Sequence, residues 1–173
     1  MATFPLPSHS FRLEHAEFQQ HFGHLDAMVG ALATASPHEQ AAHMAHIVGF
    51  LTDHLQGHAE WEERVLYRVV DREAGSGREP FTASMRHEHA IIRRWVAELA
   101  AEAGQKVPDA RAFARRADKL LGLLTAHMEE EEEVLLPVLD RSLTAEQFQR
   151  EVINDPHELP PPGPATAGPG SIP

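Results

Sequence analysis

The chain has 173 residues, enough for one domain and too few for two of comfortable size. It contains no cysteine, which excludes disulfides, cysteine nucleophiles, thiolate metal sites and cysteine-ligated iron–sulfur clusters. With 15 Lys+Arg against 26 Asp+Glu the net charge is −11, which argues against a nucleic-acid partner, and 13 histidines in so acidic a chain put a His/carboxylate metal site first among the chemistries to test.

Residues 1–8 show neither a basic n-region nor an apolar h-region, and no stretch approaches 18 uninterrupted apolar residues. The expectation is a soluble, cytoplasmic protein without membrane association. A first helix is predicted from Ser10 to Ala35. Ser36-Pro37-His38-Glu39 reads as a capping box with proline in the first turn, opening a second helix that reaches Arg72. Gly75-Ser76-Gly77 breaks the chain. A third helix runs from Thr82 to Ala103, closed by Gly104 beyond its end. A fourth runs from Pro108 and Asp109 to Asp140, with Pro137 expected to kink or end it. Thr144-Ala-Glu-Gln147 is a second capping box, opening a short fifth helix to Ile153.

From Pro156 to Pro173 lie 7 of the 13 prolines, so 155–173 reads as a disordered Pro/Gly-rich tail after a domain of residues 1–154; His157 there has no reason to be a ligand. Apolar stripes at helical spacing comprise Phe11, Phe18, Phe22, Leu25, Val29 and Leu32; Ile47, Leu51, Leu55, Val65 and Leu66; Met85, Ile92, Val96 and Leu99; and Leu120, Leu123, Leu124, Val134 and Leu135. Strand-period alternation is absent. The predicted fold is all-α, an antiparallel up-down four-helix bundle with the short fifth helix appended.

The chain repeats itself. Leu13-Glu14-His15-Ala16 answers Glu88-His89-Ala90, and His58-Ala-Glu-Trp-Glu62-Glu63-Arg-Val65-Leu66-Tyr67 answers His127-Met-Glu-Glu-Glu131-Glu132-Glu133-Val134-Leu135-Leu136. The paired histidines are 43 and 38 residues apart. His15, His58, His89 and His127 all interrupt apolar stripes, where an unpaired polar group costs roughly 1–3 kcal/mol and a charged one more. Four His and two Glu at one level of a bundle do not readily satisfy one another, whereas two cations satisfy all of them. Residues i and i+4 stand over one another, so His58/Glu62 and His127/Glu131 each aim a nitrogen and an oxygen at one point. Glu130, at i+3, also has a route inward, but only i+4 is common to both repeats; Glu131 is therefore preferred, with Glu132 as the fallback.

This pattern resembles the hemerythrin-like family, the HHE cation-binding domain, over roughly Ser10 to Asp140. The resemblance implies a four-helix bundle holding two non-haem iron ions, oxo- or hydroxo-bridged, with zinc or manganese as alternatives. It implies terminal ligands at His15, His58, His89 and His127 and bridging ligands at Glu62 and Glu131. The family's oxygen carriers have a His-x-x-x-His in the third helix, where this chain has Arg93, and an Asp at the position of Glu132. The set is closer to members linked to nitric oxide, peroxide, iron sensing or iron–sulfur repair.

The expected function is binding of, or reaction with, O2, nitric oxide or peroxide; the alternative is an iron-sensing module acting through an unidentified protein partner, favoured only by the Pro-rich tail. A ferritin-like carboxylate site is disfavoured, because no histidine has Glu three residues before it. Glu14 and Glu88 read as solvated charges with the option of orienting imidazoles on neighbouring helices. His54 has a metal or supporting role as its lesser reading, and Trp61 and Tyr67 read as core. His21, His24, His38, His43, His46 and His87 read as solvated. Arg111, Arg115, Arg116 and Lys119 read as a patch engaged in ion pairing within an acidic chain.

Overall fold

The computed structural model describes residues 6–75 and 77–154, which form five helices and no strand. Helix α1 is His9–Ala31. Helix α2 is a continuous rod over 37–73, in which α-helical stretches alternate with two widened π turns at Leu51–Leu55 and Glu62–Leu66. Helix α3 is Ala83–Ala103, and α4 covers 110–142 with a π turn at Glu131–Leu135. Helix α5 covers 145–153. The tail expected over 155–173 lies outside the described residues.

Both capping boxes form. The Ser36 hydroxyl accepts from the Glu39 N–H while the Glu39 carboxylate accepts from the Ser36 N–H, and Thr144 and Gln147 do the same. The Asp109 carboxylate caps α4 by accepting from the N–H groups of Arg111 and Ala112. Three expectations need correction. Helix α1 stops at Ala31, four residues early, because the Gln40 side chain takes the Leu32 carbonyl at 2.9 Å as the chain turns into α2. Gly104 closes α3 at an ordinary φ of −79°, so no left-handed residue is involved. Pro137 neither ends nor breaks α4, which continues to Ser142: it sits in the first turn after the π turn, where a proline's missing N–H is tolerated.

Side-chain contacts order the bundle. Helix α1 meets α4 through Ser8–Asp140 and Arg12–Glu132; α2 meets α3 through Asp71–Thr82 and Glu63–Arg93; α3 meets α4 through Glu88–His127 and Glu98–Arg116. In each pair, residue numbers rise along one helix as they fall along the other.

The core comprises two apolar clusters. One includes Phe18, Leu25, Leu55, Ile92, Phe113 and Leu124; the other includes Phe11, Trp61, Val65, Met85, Leu135 and, from α5, Phe148. Every long helix passes from one cluster to the other, and it does so at a ligand-type residue: Phe11–His15–Phe18, Leu55–His58–Glu62–Val65, Met85–His89–Ile92 and Leu124–His127–Glu131–Leu135. A polar layer is thus enclosed between two apolar ones. The stripe residues are buried with two exceptions. Leu123 is half-buried, and Val134 is 44% exposed although its repeat partner Val65 is fully buried. Both valines lie in π turns, so the widened turn does not itself set the difference; in α4 the inward positions are Leu135 and Leu136.

Candidate metal centre

Six side chains, His15, His58, Glu62, His89, His127 and Glu131, are each at most 4% exposed, and they converge from four helices. They fall into two groups of ligating atoms, His15/His58/Glu62 and Glu62/His89/His127/Glu131, which share Glu62. His58 Nε2 lies 2.9 Å and His15 Nε2 3.7 Å from Glu62 Oε1, and His89 Nε2 lies 3.3 Å from the other oxygen of the same carboxylate. Glu131 is reached by His15 Nε2 at 3.6 Å on one oxygen and by His127 Nε2 at 3.8 Å on the other. Each carboxylate therefore has an oxygen toward each group.

A cation fits this arrangement. Nitrogen and carboxylate oxygen ligands stand about 2.0–2.2 Å from a transition metal, so two ligands of one ion lie up to about 4.4 Å apart; the ligating atoms within each group all lie within 4.8 Å of one another. Both ring nitrogens of His15 and of His58, and Glu62 Oε1, are buried without a hydrogen-bond partner. Leaving such groups unpaired costs roughly 1–3 kcal/mol each, and a shared cation removes that cost.

The four imidazoles are held from behind. Each points Nε2 inward and Nδ1 toward a carboxylate on a neighbouring helix: Glu132 for His15 at 3.2 Å, Glu14 for His58 at 3.8 Å, Glu63 for His89 at 3.0 Å and Glu88 for His127 at 2.8 Å. The last two are aligned hydrogen bonds. Such contacts fix the ring and raise its basicity as a ligand. The sequence repeat carries over into this outer layer. The Glu preceding His15 or His89 supports the next helix's histidine, and the Glu following Glu62 or Glu131 supports His89 or His15.

The electrostatics follow from burial. Burial alone raises a carboxyl, yet His58, His15 and His89 hold Glu62 well below the usual carboxylate range. Burial and the Glu62 charge push Glu131 up to about 7. Burial opposes a charged His15, but Glu132 and Glu62 outweigh it and raise His15 to about 10. His89 is raised in the same way, burial being outweighed chiefly by Glu62. Burial also raises Glu14.

The π turns explain how consecutive glutamates serve different partners. In a regular helix the Tyr67 N–H would bond the Glu63 carbonyl; here it bonds Glu62, and the Leu136 N–H bonds Glu131 rather than Glu132. The two displaced carbonyls are taken by arginines from the facing helices. Arg86 donates to the Glu63 carbonyl and Arg12 to the Glu132 carbonyl, each at 3.0 Å. Arg86 is braced by Thr82 at 3.2 Å and Asp71 at 3.5 Å, and Arg12 by Ser8 at 3.1 Å and Asp140 at 3.4 Å. Two equivalent clamps thus flank the site.

All six residues singled out in the sequence meet in this layer, and Glu131 is the member of its run that turns inward. Glu14 and Glu88 act in their lesser reading, as supports. Glu63 and Glu132 escaped notice as supports, although their position after Glu62 and Glu131 in both repeats was a usable signal. Tyr67, read as core, is buried, but its hydroxyl donates to Glu131 Oε1 at 2.6 Å and lies 3.3 Å from His89 Nε2. Its repeat partner is Leu136, so this asymmetry was legible only as a difference between the repeats. His54 packs on Phe50 and joins neither ligating group, and Trp61 stacks on Phe11 within the core. Of the basic patch only Arg116 is paired, with Glu98 at 2.8 Å; among the described residues Arg111, Arg115 and Lys119 have no ion-pair partner, because no acidic side chain reaches them.

Fold and site together define a helical bundle with a buried His/carboxylate cation site. Among the described residues no helix is long and apolar enough to cross a membrane. The model of the hemerythrin HHE cation-binding domain matches residues 6–139, and the chain belongs to that family. No curated protein and no solved structure matches the chain.

Proposed function

We propose that this is a cytoplasmic non-haem di-iron protein that binds or reacts with O2, nitric oxide or peroxide. The observation that carries the reading is the pair of ligating groups sharing Glu62, with the inward nitrogens of His15 and His58 buried and without a hydrogen bond. His15 and His58 would hold one ion, His89 and His127 the other, with Glu62 and Glu131 reaching both. Imidazole nitrogen with carboxylate oxygen suits iron, which would supply coordination positions open to a small ligand. The protein's part is to hold donors and restrict access. The cavity against the site measures about 10 Å³, room for about one water-sized molecule, and Leu55, Ala59, Ile92, Leu124 and Met128 line its apolar side. A space this small favours a small ligand over a bulky substrate. The Tyr67 hydroxyl, kept protonated by burial and by the Glu131 and Glu62 charges, offers one hydrogen bond on the His89/His127 side only.

The test is to load metal-free protein with ferrous iron without oxygen, then add O2, nitric oxide or hydrogen peroxide separately. Near-ultraviolet and visible charge-transfer absorption developing with one of them supports the reading. A protein that takes up the ferrous iron and stays colourless with all three contradicts the reading.

A further inference from the structure

The strongest feature outside the metal centre is a groove between α3 and α4, a cavity of about 260 Å³ lined by Trp95, Glu98, Ala112, Arg115, Arg116 and Lys119. In a chain of net charge −11, cations have acidic neighbours in excess. Yet Arg115 and Lys119 at this groove, and Arg111 one turn before Arg115 on the same helical face, have no acidic partner among the described residues. Positive charge is therefore concentrated at a concave place on an otherwise acidic protein, where a cleft focuses the field on an incoming anion. One wall is the half-buried indole of Trp95, a surface on which a planar ring stacks.

We propose that this groove binds a mononucleotide, a phosphate ester carried on a planar ring. Arg115 and Lys119 take the phosphate, the guanidinium as a fork of donors and the ammonium as a point charge. Trp95 takes the ring. Glu98, held by Arg116 at 2.8 Å, presents a carboxylate to the hydroxyls or ring N–H groups of the ligand. The volume lies just below the roughly 300–1,000 Å³ of typical small-molecule sites, a size suited to one nucleotide. The groove is separate from the metal centre: Trp95 lies six residues beyond His89, about 9 Å along α3, and Lys119 eight residues before His127, about 12 Å along α4. The proposal is therefore independent of which metal the centre holds.

The test is a titration of the full-length, metal-loaded protein with AMP and with FMN, followed by calorimetry and, for AMP, by tryptophan fluorescence. Trp61 is buried in the core, so an emission change on binding reports Trp95. The expected result is saturable binding of at least one of the two that weakens with salt and is at least about tenfold tighter than that of the uncharged parent, adenosine or riboflavin. Replacing Arg115 and Lys119 together by alanine weakens it by at least about tenfold, with metal content and melting temperature unchanged. Trp95→Leu weakens it as well, while Trp95→Phe restores much of the affinity. No binding of either nucleotide at ~5 mM, about two orders weaker than a site of this kind provides, overturns the proposal. So does unchanged affinity in the double variant, and so does inorganic phosphate binding as tightly as AMP and FMN, which would make the groove an anion site only.

Discussion

Replacing Glu88 by alanine isolates the support behind one imidazole. Its carboxylate bonds His127 Nδ1 at 2.8 Å, the shortest of the four outer contacts, across a histidine that is 4% exposed from a glutamate that is 26% exposed. A hydrogen bond to a charged group contributes roughly 1.5–3 kcal/mol, and the partial exposure of Glu88 brings the expected loss to about 1–2 kcal/mol. At 1.4 kcal/mol per decade, metal affinity should fall by about 5- to 30-fold, overlapping the roughly 10- to 100-fold typical of supporting partners of a metal-bound histidine. The assay is competition of the loaded protein against a chelator of known affinity, with the exposed Glu133→Ala as the control that should change nothing. Affinity within twofold of wild type would refute the reasoning that Glu88 holds the ring. A loss beyond about a thousandfold would also refute it, by making Glu88 a ligand rather than a support.

Removing a ligand outright should be harsher: His58→Ala or Glu131→Ala should lose bound metal, and elemental analysis reads the outcome directly. The arginine clamps predict that Arg12→Ala or Arg86→Ala melts roughly 2–8 °C lower, because each strands a carbonyl displaced by a π turn, and that lysine recovers part of the loss. The unequal burial of Val65 and Val134 predicts an asymmetry between equivalent positions: Val65→Thr should cost about 1–2 kcal/mol in chemical denaturation, and Val134→Thr less than about 0.5 kcal/mol. In metal-free protein, His15 is raised to about 10, so its stabilisation is complete below about 6.5 and lost as pH climbs toward 10. Glu131, raised to about 7, acts in the same direction between about 4.5 and 7. Melting temperature should therefore fall from pH 7 to 10 without metal and stay level with it, and loading near pH 7 should release protons into a weakly buffered solution.

Much of the architecture was legible because the signals were local. Ser36/Glu39 and Thr144/Gln147 are capping boxes in sequence and in space, and the stripe positions interrupted by histidine mark the level at which the two apolar clusters divide. The register after Glu62 and Glu131 was not legible. A π turn adds one residue to the helical period without any composition of its own, and the repeat made Val134 look as buried as Val65 although only Val65 is. The same turn hid Glu63 and Glu132, which a regular helix would carry away from the imidazoles they support. Tyr67 was hidden for another reason: a buried aromatic at core spacing reads as packing until the position of its hydroxyl is known. For the basic patch an acidic chain makes internal pairing the obvious fate of a cation, and only the spatial arrangement shows that, among the described residues, Arg116 alone of the four finds a carboxylate, that of Glu98.

The central claim, that six buried residues hold two ions between the apolar clusters, is tested most directly by metal content per chain, measured by elemental analysis on protein purified without added metal or chelator. The account predicts about two irons per chain. One ion or none would contradict it, and zinc in place of iron would contradict the di-iron reading.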